Sequence, residues 1–501
     1  MTRRAAAVVI HRPVRGGSAA PGELDVYLVL RSPELAFLGN TMAFPGGVLE
    51  RGDEALPLAG LDGDSGEERA VVACAARELL EETGILAAAP NGPTRVGSDV
   101  RGSIDGPEAL RRLLQERDLR IDGQAFVPLT RLVTPPFSRR RYDTSFYLLE
   151  LPAEVEPEVL PGELVRGVWL RPIAALEAWR RAELRLSPPA HFILEQLSSL
   201  PLPRAIDVLR AEPRELEDSR RVIAYAPGYE ILPFETPPLP ASVPTNTLLI
   251  GGRTFIVLDP APRLEKGKER LLAAIAARLE KGDRLLAVVL THHHPDHVGT
   301  LDAVLERWRP PLWAHARTGE LLGRPLARAL DDGDEIELGE GSDGRGGWTL
   351  RALFTPGHAE GHLALHDERY SSLAAGDLVS TLLSMYVGAP GGSLRLYLES
   401  IRRVAALPLQ TVYPSHGAPD HDPAALFRET IRHRLERIEQ TLARLGTEPR
   451  ETEAIAREIY PESEPALLPL VVRATRAALE YLVEEGRAVL VGGDRFARAK
   501  E

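Results

Sequence analysis

Two apolar runs near the start, residues 5–10 and DVYLVL at 25–30, read as strands, and AFPGG closes a loop at 43–47. SGEERAVVACAARELLEETG follows with Val72, Ala76 and Leu79 on one stripe, which predicts a helix. Ser65 and Glu68 supply a capping box at its start, and Gly84 stops it. FVPLTRLVT, TSFYLLEL and VRGVWLRP add strand signals, and a helical stretch follows around 188–199. The charged, proline-bearing stretch that follows reads as a linker over 204–218. From Val222 a new series begins, with TNTLLIGG, TFIVLDP, LLAVVLTHHH and TLRALFTPGH as strands ending in polar loops. Helices such as 264–280 lie between them, and that alternation predicts an α/β layered sandwich. After about Leu426 helical patterns over 427–445, 449–459 and 466–485 precede a short hairpin, RAVLV-GGD-RFARA.

A length of 501 residues predicts about three domains. The pattern divides them as 1–203, 219–425 and 426–501, with the linker between the first two. The net charge of −12 gives no global pull toward nucleic acid or anionic lipid, although a local basic groove could survive in an acidic protein. With Cys74 as the one cysteine, no intrachain disulfide can form, and any metal must rely on His, Asp and Glu. The stretch AAAVVI is too short for a secretory signal, and no run reaches the roughly 18 apolar residues a membrane span needs. The expectation is a cytoplasmic protein without membrane contacts; the oligomeric state is left open.

Residues 291–299, THHHPDHVG, place His292, His294, Asp296 and His297 at the end of a strand. A loop leaving a buried strand splays alternate side chains to one side. His292 and His294 can therefore converge on one ion, while Asp296 and His297 face a neighbouring one. Zinc needs three or more protein ligands. Later strand ends offer them: TPGH ending at His358, AAGD at Asp377 and YPSH at His416. This series resembles the metallo-β-lactamase superfamily over about 220–425, with an αββα sandwich as the implied fold. The resemblance assigns His292, His294 and His358 to a first zinc ion and Asp296, His297 and His416 to a second. Asp377 would bridge them, and Asp259 would support rather than ligate. Two zinc ions about 3.5–4 Å apart would activate water to attack a carbonyl or phosphorus, with Asp296 in the catalytic set. His293, His315, His362, His366 and His421 fall outside the ligand pattern and are assigned to packing or support. YLESI at 397–401, ETIRHRLERIEQ and the terminal module look like the lactamase-β-like-2 group, near the glyoxalase II thioesterases. The helices and hairpin of that module are similar to a winged helix, which would form a lid or wall over the metal cleft. The group implies a phosphodiester in single-stranded RNA or a thioester as substrate. GAPGGS before the helix at 394 makes Ser393 either an anion contact or a plain helix cap.

Upstream, Glu78, Glu81 and Glu82 stand at i, i+3 and i+4 and line one helix face. Arg77 is the nearest basic partner, so a hard divalent cation is the fitting compensation. RELLEETGI matches the helical part of the Nudix box, R-E-U-x-E-E-x-G-U. Asp53 stands where that box has Glu, and 54–76 expands its usual spacer. With LVLRSPELAFLGNTMAFPGG and TPPFSRRRYDTSFYLLELP, residues 5–200 resemble the coenzyme-A-diphosphatase branch of Nudix hydrolases, an α/β/α sandwich. The resemblance implies Mg²⁺ or Mn²⁺ on the three glutamates, with Arg77 orienting a glutamate. Glu163 would be a late acidic helper and Arg141 either a phosphate contact or a surface ion pair. The expected function is a bifunctional hydrolase: a diphosphatase on a nucleotide or coenzyme-A-like substrate, joined to a dizinc hydrolase. The alternative makes the first domain a non-catalytic ligand sensor that regulates the second.

Overall fold

The computed structural model describes residues 2–13, 23–35, 39–61, 65–138, 140–160, 162–219, 221–236 and 244–499. The chain divides into two compact units. The first is Met1–Pro136 with Arg140–Pro227, and the second is Gly228–Glu501 with Phe137–Arg139.

In the first unit Arg3–Pro13 is the organising strand. It runs parallel to Tyr142–Glu150 and antiparallel to Leu24–Arg31 and Gly46–Val48. Side chains alternate across a sheet, and here both faces are covered. Ala6, Val8 and Ile10 enter one core with helix Gly66–Thr83. Ala7 and Val9 enter another with residues of helices Pro172–Arg180 and Pro188–Ser199. The start of helix Gly66–Thr83 is fixed as its sequence requires. Ser65 Oγ accepts from Glu68 N at 3.2 Å, and Glu68 Oε2 accepts from Ser65 N at 3.1 Å. Gly84 ends the helix at φ 71, where a side chain would strain the backbone.

The expected linker is not one. Leu202–Ala211 is a helix, and Ala205 and Leu209 are buried in the same core as Val9. Leu202, Ala205, Ile206 and Leu209 repeat at helical spacing, and Pro203 falls in the first turn, where proline is tolerated. The first unit therefore extends to Pro227. Leu209→Ala is expected to cost about 2–5 kcal/mol, as core truncations do. The check is the thermal midpoint; a change near zero, as for a linker residue, contradicts the packing.

Two sheets of the second unit carry the candidate site. Strands Tyr229–Phe234, Thr245–Gly251, Thr254–Leu258, Arg284–Val289, Leu312–Ala314 and Arg328–Ala329 neighbour one another in that order. Glu335–Gly339, Trp348–Phe354, Leu363–Asp367, Ser372–Ser380 and Thr411–His416 form the other. Thr245–Gly251 contacts Thr411–His416 across the sheets, and both strands are buried throughout. Helix Glu265–Glu280 contacts the first sheet, while Leu394–Ala405 and Pro423–Leu442 contact the second. Strand ends of both sheets thereby meet along one edge, which is where the histidines lie.

Residues 426–501 do not separate as a third unit. Their helices Pro423–Leu442, Thr452–Ile459 and Leu468–Glu484 bury Phe427, Ile455 and Leu479 in one core with Leu373, Tyr397 and Ile401. Arg495–Arg498 pairs with Arg450–Glu451 on one side and Ala488–Gly492 on the other. No helix among the described residues is long and apolar enough to cross a membrane.

Candidate metal centres

Seven side chains predicted from scattered strand ends come together in the second unit. His292, His294, His358 and Asp377 form one donor set and Asp296, His297 and His416 another, each with donor atoms within 4.8 Å of one another. His292 Nε2 and His358 Nε2 lie 2.9 and 3.0 Å from His294 Nδ1. Asp377 joins the sets: Oδ2 is 3.2 Å from His358 Nε2, and Oδ1 is 3.4 Å from both His297 Nε2 and His416 Nε2. Asp296 Oδ2 stands 3.7 and 3.6 Å from the same two nitrogens.

The outer hydrogen bonds settle which ring nitrogens face inward. Backbone carbonyls only accept, so His358 Nδ1 donates to Tyr386 O at 2.7 Å and His416 Nδ1 to Pro244 O at 3.1 Å. His297 Nδ1 donates to the Asp259 carboxylate at 2.8 Å. Thr291 Oγ1 gives its hydrogen to Asp259 at 2.6 Å, leaving it to accept from His292 Nδ1 at 3.0 Å. In each of these four rings Nε2 is then the atom turned inward, as in metal-ligating histidines whose other nitrogen is held by a second partner. Asp259 supports in this way, at a left-handed φ of 52.

A cation fits this set. His297 Nε2 and Asp377 Oδ1 are buried with no hydrogen-bond partner. Burial and the neighbouring imidazoles push His292 well below its ordinary value and His294 to about 2. Against burial, Asp377 holds His297 and His416 up. Against its own burial, the facing imidazoles hold Asp377 well below the carboxylate range. Opposed lone pairs and an unsatisfied carboxylate are what two cations would satisfy. Ser393 instead caps a helix: its Oγ accepts from Leu396 N at 3.4 Å, and its N–H goes to Gly357 O.

In the first unit a cavity of about 700 Å³ is lined by Glu78, Glu81, Glu82 and Glu163, with Arg31 and Phe44 among its other residues. Arg77, 1% exposed, also lines it. Its Nε and Nη2 grip the buried Asp53 at 2.8 and 3.1 Å, and Nη1 reaches Glu78 at 2.8 Å and Glu81 at 3.1 Å. Glu82 Oε2 accepts from Gly46 N at 2.8 Å. A Cβ at Gly47, in strand Gly46–Val48, would press on the Glu78 carboxylate and force it to shift. Arg77 is the guanidinium bonded to Asp53, Glu78 and Glu81 together, and Glu81 Oε1 is still buried without a hydrogen-bond partner. A divalent cation fits that excess. Arg141 is not among the lining residues: its Nε donates to Thr134 O at 2.9 Å, and Arg140 faces the cavity instead. Asp53 is the residue the sequence left without a role. The signal was its place in the box, but its contact with Arg77 depends on the turn at Gly52, φ 112.

Burial, with Arg77 opposing and Glu78 adding, lifts Glu81 from 4.5 to about 7. Burial and Glu78 lift Glu82 to about 8. A folded-state pKa above the unfolded one contributes stability below the unfolded value that is lost as pH rises through the folded value. Chelator-treated protein is therefore expected to lose stability as pH rises from about 5 to 8, by about 1.4 kcal/mol per pH unit for each titrating group. Mg²⁺ should restore it. A thermal midpoint flat over that range, or unmoved by Mg²⁺, contradicts the assignment.

Residues 242–416 match the metallo-β-lactamase superfamily model. The chain thus carries a metallo-β-lactamase domain within a mixed α/β fold. The chain is 32% identical to the lactamase-like protein adaB of Aspergillus niger over 40% of this chain and 58% of that one. It is 27% identical to the probable metallo-hydrolase YqjP of Bacillus subtilis over 47% of this chain and 87% of that one. It is 28% identical to an atrochrysone carboxyl ACP thioesterase of Aspergillus fumigatus over 50% of this chain and 75% of that one. A β-lactamase domain protein from Burkholderia ambifaria shares the fold at TM-score 0.50 and 23% identity, over 56% of this chain and 94% of that one.

Proposed function

We propose that this chain is a hydrolase with two metal centres, the second of which cleaves an acyl thioester. The observation that carries the reading is the meeting of His292, His294, Asp296, His297, His358, Asp377 and His416 around one shared carboxylate. The thioesterase among the relatives favours a thioester over a phosphodiester. His292, His294, His358 and Asp377 would hold one zinc ion, and Asp296, His297, His416 and Asp377 the other. Two such ions lower the pKa of water toward neutrality and polarise the bond under attack. The chain's own part is orientation. Asp259, Tyr386 and Pro244 fix the imidazoles, and Thr245 Oγ1 donates to Asp296 Oδ2 at 3.5 Å.

The first unit is proposed to be a Nudix-like diphosphatase. Glu78, Glu81 and Glu82 would hold Mg²⁺, which neutralises charge on the diphosphate. Arg77 aims Glu78 and Glu81, and Arg31 places a positive charge near Glu82 on the cavity wall. Residues 426–501 are proposed as a winged-helix-like module.

The test offers the purified protein acyl-coenzyme A, acylated carrier protein and single-stranded RNA separately, with metal content measured alongside. Thiol release that depends on about two zinc ions per chain is expected. RNA cleavage without thiol release would replace the thioester reading.

A further inference from the structure

His362 lies four residues beyond His358 and is fully buried. Its Nε2 is 2.9 Å from the backbone N of Asp377. That amide can only donate, so Nε2 is unprotonated and the ring hydrogen sits on Nδ1, 2.8 Å from Thr355 Oγ1. Thr355 Oγ1 can pass its own hydrogen to Leu353 O, 3.5 Å away. With both ring nitrogens engaged, His362 is not a metal ligand, although its ring centre lies 5.4 Å from that of His292.

The backbone explains why an acceptor is needed there. Strand Ser372–Ser380 pairs with Thr411–His416, but the register slips between Ala374 and Gly376 and again between Gly376 and Ser380. The Asp377 amide falls inside that break. Gly376 takes φ +55, and a Cβ on it would strike His362 Nε2, so the turn and the histidine fit one another. Asp377 Oδ1 has no hydrogen bond of its own. The hydrogen bond at its main-chain amide therefore bears on where this carboxylate, common to both donor sets, points.

We propose that His362 is a positioning residue: it supplies the acceptor that the broken ladder denies to Asp377 N–H, and so fixes the carboxylate shared by both cation sites. This rests on the two-cation reading of the centre. The test titrates the full-length, metal-stripped protein with cobalt(II), following affinity, stoichiometry and visible d–d absorption. Wild type is expected to bind two ions in the second unit; if it does not, the two-cation reading falls and this inference with it. Given two ions in wild type, the variants judge His362 alone. His362→Leu should weaken cobalt binding by about 10–100-fold, the usual loss when an outer partner of a ligand is removed, and alter the spectrum. His362→Gln, which can still accept from Asp377 and donate to Thr355, should recover most of both. Thr355→Val, of similar shape, should lower affinity less than the leucine variant and keeps the test usable if that variant does not fold. The proposal is overturned if His362→Leu matches wild type, if glutamine performs no better than leucine, or if Thr355→Val leaves affinity and spectrum unchanged.

Discussion

Asp377→Asn is expected to abolish hydrolysis by the second unit and to reduce its metal content below two ions per chain. Asparagine has nearly the same shape, so the buried strand should keep its packing. What changes is charge. Asp377 faces His358 with one oxygen and His297 and His416 with the other, and among the described residues no other carboxylate stands in both sets. An amide would turn an N–H₂ toward one cation and remove the anion that offsets two of them. Removing an outer partner of a metal ligand costs 10–100-fold in affinity, and loss of a direct ligand costs more. Bound cations would supply several kcal/mol of charge stabilisation at about 1.4 kcal/mol per decade of rate, so turnover should fall by about 10³-fold or more. Elemental analysis and thiol release on the same preparation check both halves of the expectation. Full zinc content with undiminished turnover would remove Asp377 from the centre.

Much of that centre was legible because the residues that carry chemistry stand at strand ends, where alternating burial gives way to polar loops. What could not be read locally was convergence. His358 and His362 both follow the TPG turn, but the first faces the site from its bond to Tyr386 O while the second meets the Asp377 amide inside the register break at Gly376. The glutamate face was legible for a different reason: helical spacing fixes which side chains share a side. Arg140 and Arg141 differ by one position, and a one-residue step in extended chain reverses the face, so sequence could not choose between them. The helix Leu202–Ala211 was hidden by its prolines, whose meaning depends on whether they fall in a first turn. The terminal helices were seen, but their shared core with Tyr397 and Ile401 is a tertiary fact with no local signature.

Glu82→Gln should produce two opposite effects in the first unit. Glutamine can still accept from Gly46 N, so strand Gly46–Val48, which brings the backbone against the carboxylates, keeps its anchor. Without the charge, Mg²⁺ loses one of the three glutamates that would hold it, and diphosphate hydrolysis should fall by about 10²–10³-fold, as when one electrostatic partner of developing charge is removed. Thioester hydrolysis by the second unit should be unchanged. In chelator the sign reverses. Ionising Glu82 in its buried position costs stability progressively as pH rises from about 5 to about 8, a loss complete in alkaline buffer, and glutamine has nothing to ionise. The variant should therefore melt higher than wild type in metal-free alkaline buffer while being the poorer enzyme in Mg²⁺, the trade expected where a site stores unfavourable charge for function. If wild type cleaves no diphosphate while a bound nucleotide alters thioester turnover, the first unit is a sensor. If Glu82→Gln cleaves diphosphate as fast as wild type, Glu82 is not part of its chemistry.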